Sequence, residues 1–121
     1  AAHRHGKMFW LHCCGNVYAN GVIDDLIDIV GLDAFHAFQD EILPVQQFKA
    51  RYGQRIAALG GIDLDKLCRL DEPSLRAYIR DILRACLPGG RFALGSGNSI
   101  TNFTPVENYL VLLEEARNWR P

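Results

Sequence analysis

The sequence predicts an α/β fold of four parallel strand–helix units. Short apolar runs alternate with stretches whose apolar residues recur at helical spacing, and glycine- or proline-containing turns separate one from the next. The runs are continuously apolar rather than alternating with polar residues, as in parallel strands covered on both faces.

The first strand is expected at Met8 to His12, an apolar run that stops at Gly15-Asn16. A helix follows, with Val22, Ile23, Leu26, Ile27 and Val30 on one stripe, Asp24, Asp25 and Asp28 opposite, and Gly31 placed as its C-terminal cap. Ala34 to Phe38 reads as the second strand. Val45, Phe48 and Tyr52 mark a short helix ending at Gly53. The third strand is expected at Arg55 to Leu59, broken by Gly60-Gly61. Leu75, Ile79, Ile82, Leu83 and Cys86 line the next helix, and Pro88-Gly89-Gly90 leads to a fourth strand at Arg91 to Leu94. The last helix opens with Thr104 as N-cap, Pro105 at its first position and Glu107 at its third. The order βαβαβαβα implies right-handed crossovers. It suits either an open doubly wound sheet or half of a (β/α)8 barrel of roughly 250 residues.

With 121 residues, one domain spanning 1–121 is expected. The 13 basic and 14 acidic side chains nearly cancel and form no block of one sign, which argues against a nucleic-acid partner. No apolar stretch approaches the roughly 20 residues needed to cross a bilayer and no signal-peptide pattern opens the chain, so a cytoplasmic protein is expected. The start at Ala1, with AAHRHGK reading as a helix end that runs into a strand, is what a segment of a longer protein would show. His3, Arg4, His5 and Lys7 read as solvated, and Trp10 and Trp119 as packing residues. Cys13, Cys14, Cys68 and Cys86 make a poor disulfide framework, so reduced thiols are expected.

In parallel α/β folds the loops after the strands share one end, and that end carries the site. It gathers His12 to Asn16, His36 with Gln39, Gly60 to Asp63, and Gly95 to Ser99. His12 and Cys14 lie two apart, on one face of a strand, so imidazole and thiolate could share a Zn²⁺. No third ligand is evident, since Cys68 and Cys86 fall on helices. The alternative makes Cys13 and Cys14 small buried residues and His12 a hydrogen-bonded strand end. Gly95-Ser96-Gly97 could cradle a phosphate or carboxylate, with Gly97 and Ser99 binding substrate, or form a tight turn needing positive φ. Asp63 reads as a helix cap or a general base, and His36 as a pocket residue or sheet filling.

His12-Cys13-Cys14-Gly15-Asn16, Gly31-Leu32-Asp33-Ala34, Tyr52-Gly53, Gly60-Gly61-Ile62-Asp63, Pro88-Gly89-Gly90, Gly95-Ser96-Gly97-Asn98 and Thr104 to Asn108, in that order and spacing, resemble the uroporphyrinogen decarboxylase superfamily. That superfamily also contains cobalamin-dependent methyltransferases acting on coenzyme M and related thiols. The resemblance covers nearly the whole chain and implies the C-terminal half of a TIM barrel. It implies a complete form that decarboxylates a tetrapyrrole, in porphyrin biosynthesis, or transfers methyl groups between a corrinoid and a thiol. In the methyltransferase branch His12 and Cys14 would match the first two ligands of a zinc ion. Asn98 stands where that branch has a cysteine and the decarboxylases a histidine. The residues expected to line the pocket are His12, Asp63 and Asn98 as catalytic groups, His36, Gln39, Gly97 and Ser99 as substrate contacts, and His12 with Cys14 as metal ligands. The rival expectation is a noncatalytic half-barrel that pairs with a second copy, as a dimer, or with a missing N-terminal half through its open edges.

Overall fold

The computed structural model describes residues 1–120. Its strands, β1 (Trp10–His12), β2 (Ala34–His36), β3 (Ala57–Ile62) and β4 (Phe92–Ser96), form one sheet in the order β1-β2-β3-β4, every pair parallel. A doubly wound sheet reverses its strand order at a switch point, whereas a barrel adds each strand beside the last. The sequential order is therefore that of half a (β/α)8 barrel.

Five helices connect and follow the strands: α1 (Val22–Asp28), α2 (Val45–Tyr52), α3 (Leu64–Arg69), α4 (Glu72–Cys86) and α5 (Val106–Asn118). They share a single core with one face of the sheet, since Ile23, Val45, Phe48, Leu67, Leu75, Ile79 and Leu112 join Phe35, Ala58 and Ile62 in one buried cluster. The period of two along a strand sends alternate residues to the other face. Leu11 packs on the core while Trp10, 58% exposed, and His12 face away from it. Both faces of the sheet were expected to be covered, and Trp10 to be packed. Trp10 is exposed instead, and with His36 and Leu59 it lines a cavity of about 500 Å³ bordered by Tyr109, Leu112 and Leu113 of α5.

At the centre of the core Phe48 lies 5.8 Å from Phe35, 5.1 Å from Phe38 and 5.2 Å from Tyr52, ring centre to ring centre. These offset and edge-on arrangements suit the aromatic quadrupole. Glu115 of α5 is 7% exposed and accepts from Arg80 Nε and Nη2 on α4 at 2.7 and 2.8 Å and from Arg76 Nη1 at 2.7 Å. Two guanidiniums offset the desolvation of one carboxylate and clamp α5 to α4.

Several boundaries differ from the sequence reading. β3 does not break at Gly60-Gly61 but continues through them to Ile62, with φ of +100° and +107°. Glycine lacks the Cβ that makes such values costly, so the strand passes through. The expected N-cap Thr104 makes no cap; Pro105 occupies that position, and the Thr104 hydroxyl pairs instead with Thr101 at 2.9 Å. α1 stops at Asp28, and Val30, beyond its end, is exposed. The third crossover holds two helices, α3 and α4, broken at Leu70.

Phe48→Ala should lower the unfolding free energy by about 3–5 kcal/mol, because a large cavity would open among rings that cannot collapse into it; urea denaturation measures this. Hydrogen bonds from Arg80 chiefly, opposed by burial, hold the Glu115 carboxyl below its ordinary value of 4.5. A depressed carboxylate stabilises the fold above its unfolded pKa, and that contribution is lost as pH falls through the folded one. Glu115→Gln should therefore cost stability at neutral pH, with the gap to the parent protein closing in denaturation curves taken progressively below pH 4.5.

Candidate functional site

Because the strands are parallel, their C-terminal ends share one edge, and the β1–β2 register sets His12 beside His36. The Nδ1 atoms of the two rings are 2.6 Å apart. His36 continues across the sheet: its Nε2 lies 3.0 Å from the carbonyl oxygen of Ser96 on β4, two strands away. The ring crosses β3 at Gly60. A Cβ there would stand 2.5 Å from the Ser96 carbonyl oxygen and 2.9 Å from His36 Cδ2, so only glycine leaves the passage open. Just after His36, Ala37 takes φ +104°, a conformation worth about 1–3 kcal/mol of strain in a residue with a Cβ. It aims Phe38 into the core, where the Phe38 amide donates to the Gly97 carbonyl at 2.9 Å.

On the other side of His12, Nε2 is 3.3 Å from Cys14 Sγ. Asn98 reaches the same sulfur from the β4 loop, its Nδ2 donating at 3.3 Å. Its amide orientation is fixed, since Oδ1 accepts from the Ser99 amide at 2.8 Å and a backbone N–H can only donate. His12, Cys14, His36 and Asn98 thus form one connected cluster drawn from three strand ends. Cys13, next in the chain, points elsewhere, its thiol towards the Cys14 carbonyl at 3.7 Å.

Asp63 sits apart from that cluster. It is buried, Oδ1 caps α3 by accepting from the Lys66 amide at 3.1 Å, and Oδ2 accepts from the Asp40 amide at 2.8 Å. Of the two readings left open by the sequence, cap and base, the geometry is that of a cap. Gln39, Asp40, Asp63, Lys66 and Asn98 line a cavity of about 420 Å³. Within it the Asp40 Oδ2 accepts from Lys66 Nζ at 2.6 Å and from the Tyr78 hydroxyl at 2.9 Å, and burial raises the Tyr78 phenol above its ordinary value. This network was not singled out from the sequence, because Asp40, Lys66 and Tyr78 are too far apart in the chain to form a motif. Gly97 and Ser99 do not form an anion cradle. The Gly97 amide donates to the Ile62 carbonyl at 2.5 Å, and the Ser99 amide is taken by Asn98. Neither Gly95 nor Gly97 adopts positive φ; a Cβ at Gly97 would lie 2.2 Å from the Phe38 carbonyl oxygen, so close approach is what requires glycine there.

The donor set does not fit a catalytic zinc with three protein ligands. His12 and Cys14 supply two donors, His36 has both ring nitrogens engaged, and Asn98 turns an N–H rather than a lone pair towards the sulfur. Among the described residues no three His, Cys, Asp or Glu side chains are grouped to hold a metal, and no helix is long and apolar enough to cross a membrane.

No family model matches the sequence, and no curated protein does. Among solved structures, the chain is similar to a methyltransferase from Methanosarcina mazei, with a TM-score of 0.73 and 24% identity over 96% of this chain. The chain spans 32% of that protein's length. At that identity the likeness is one of fold.

Gly60→Ala should expel His36 from its bond to Ser96 and cost about 1–3 kcal/mol, since alanine at φ +100° is strained as well as crowded. Nitrogen-15 NMR of the imidazoles reads the outcome: the slowly exchanging His36 Nε2 proton should vanish, and its persistence would show that the ring does not need this passage.

Proposed function

We propose that the chain is the C-terminal half-barrel of a methyltransferase-like member of the uroporphyrinogen decarboxylase superfamily. In this reading the complete enzyme works at the strand C-termini on a small thiol and a methyl-corrinoid. The observation that carries it is the contact of His12 and Cys14 at 3.3 Å, a basic nitrogen against a soft sulfur at the mouth of a barrel-type sheet. The fold shared with a methyltransferase over 96% of the chain supports it. Decarboxylation is the weaker half of the reading. Its branch has a histidine at the position of Asn98, and here Asn98 directs its amide to Cys14 rather than into the open.

A second reading, assembly without turnover, has its own observation. Trp10 on β1 is 58% exposed, Met8 just before the strand is 68% exposed, and β1 and β4 each have an unpaired edge.

The test measures binding as well as turnover, because the similar methyltransferase is about three times as long. The protein is titrated with a methylated corrinoid plus a small thiol, and separately with uroporphyrinogen. Thiol-dependent loss of the methyl-corrinoid spectrum, or saturable corrinoid binding that falls at least tenfold in His12→Ala, is the expected result. Uroporphyrinogen binding with release of carbon dioxide would transfer the reading to decarboxylation. Failure of both ligands with a monodisperse dimer in sedimentation would leave assembly in its place.

A further inference from the structure

The cluster around Cys14 has an internal logic that does not depend on which reaction the complete protein performs. The carbonyl of Ser96 can only accept, so His36 Nε2, 3.0 Å away, carries a proton. In a neutral ring His36 Nδ1 is then an acceptor, and the 2.6 Å contact between the two Nδ1 atoms requires His12 to donate. That leaves His12 Nε2 as the unprotonated nitrogen, and it faces Cys14 Sγ at 3.3 Å. One backbone carbonyl thereby fixes the tautomers of two rings and presents a base to a thiol. On the far side of the sulfur the Asn98 amide donates at 3.3 Å, where it would stabilise negative charge.

We propose that Cys14, His12 and His36 form a metal-free nucleophilic relay, with Cys14 as a covalent acceptor of an alkyl group from a small carbon electrophile. A bond forms between Cys14 Sγ and the electrophilic carbon, and the bond from that carbon to its leaving group breaks, the leaving group taking the electron pair. The thiol proton passes to His12 Nε2. No hydrogen bond is broken in the process. His12 as imidazolium still donates Nδ1–H to His36, His36 still donates to Ser96, and Asn98 still faces the sulfur. This is the nucleophile, base and orienting group of covalent catalysis, with an imidazole anchored on a main-chain carbonyl in the orienting place. His36 is a positioning residue, since it meets the sulfur only through His12. Cys14 and His12 are exposed, so a small electrophile reaches them from the open face of the sheet.

The chain contains its own controls. Cys13 shares the backbone of Cys14 but lacks the imidazole. Cys86 is fully buried, which pushes its thiol up to about 11, so it reports loss of the fold. The protein is treated with iodoacetamide at neutral pH, with and without a chelator, and the alkylation rates of Cys13, Cys14 and Cys86 are followed by peptide mass spectrometry. Cys14 should react at least tenfold faster than Cys13, with no effect of the chelator. The ratio should collapse in His12→Gln, which keeps a hydrogen-bond acceptor but no base. It should also fall in His36→Leu and recover in His36→Asn, whose amide oxygen accepts from His12; a merely space-filling His36 would show the reverse order. A ratio unchanged in His12→Gln while Cys86 stays protected overturns the relay. So does a Cys14 that is shielded until the chelator is added, which would mean that a metal holds the sulfur. If a substitution exposes Cys86, Asn98→Ala, at the surface loop, carries the same comparison: a severalfold fall in the ratio is expected, and no fall counts against the relay.

Discussion

The bond from His36 to the Ser96 carbonyl constrains most of what is particular about this sheet. To make it, an imidazole on β2 has to pass over β3 and reach β4. The backbone accommodates that path in two places. Gly60 gives up a side chain and adopts a φ closed to other residues, and Ala37 accepts strain immediately after the histidine. Strain of this kind persists only where the surroundings over-determine it. Here the surroundings are the β3–β4 pairing at Gly60 and the bond from the Phe38 amide to Gly97. The same bond propagates outward, since it fixes the proton on His36, then that on His12, and so the nitrogen turned towards Cys14.

The two polar assemblies at the strand ends are built differently. Both Asp63 carboxylate oxygens accept from main-chain amides, and Asp40 Oδ2 accepts from Lys66 and Tyr78 while its Oδ1 is buried without a partner. Such a network holds the β2 and β3 loops against the start of α3. Around Cys14 the partners are the side chains of His12 and Asn98, and the sulfur is exposed. Asn98 borders both, touching Cys14 and lining the cavity over Asp63. The division between a fixed frame and a reactive group resting on it is what preorganised sites require.

Much of the fold was legible in the sequence because it depends on periodicity. The α4 stripe from Leu75 to Cys86 is buried as read, and α2 runs from Val45 to Tyr52 with Gly53 after it. What was not legible turns on contacts between distant residues. Gly60-Gly61 looks like a break when only local propensity is weighed, and continues as a strand because β4 pairs with it at Leu94 and Gly95, beyond the point where β2 stops at Leu59. Thr104 looks like a cap, but its hydroxyl is drawn to Thr101, which the sequence alone cannot rank above the helix amides. The residues of the cluster were each visible as candidates. Their pairing was not, because the partnership of His12 with His36 depends on strand register and that of Cys14 with Asn98 on a separation of 84 residues.

The open face of the sheet bears on how strong the cluster is. In contact with water, each of its hydrogen bonds contributes only about 1 kcal/mol net, since solvent offers competing partners. Covering the same atoms with apolar surface would strengthen every charge–dipole interaction among them. It would also raise the cost of any polar atom left unpaired. The cluster is suited to such covering: His12 is paired with His36, His36 with the Ser96 carbonyl and Asn98 with the Ser99 amide, and the sulfur is the group left with room for a ligand. Trp10, on the same strand and face as His12, contributes apolar surface beside it. A second sheet laid against this face would exclude water from the thiol without stranding a hydrogen-bonding group, which is the arrangement a closed barrel provides at the ends of its strands.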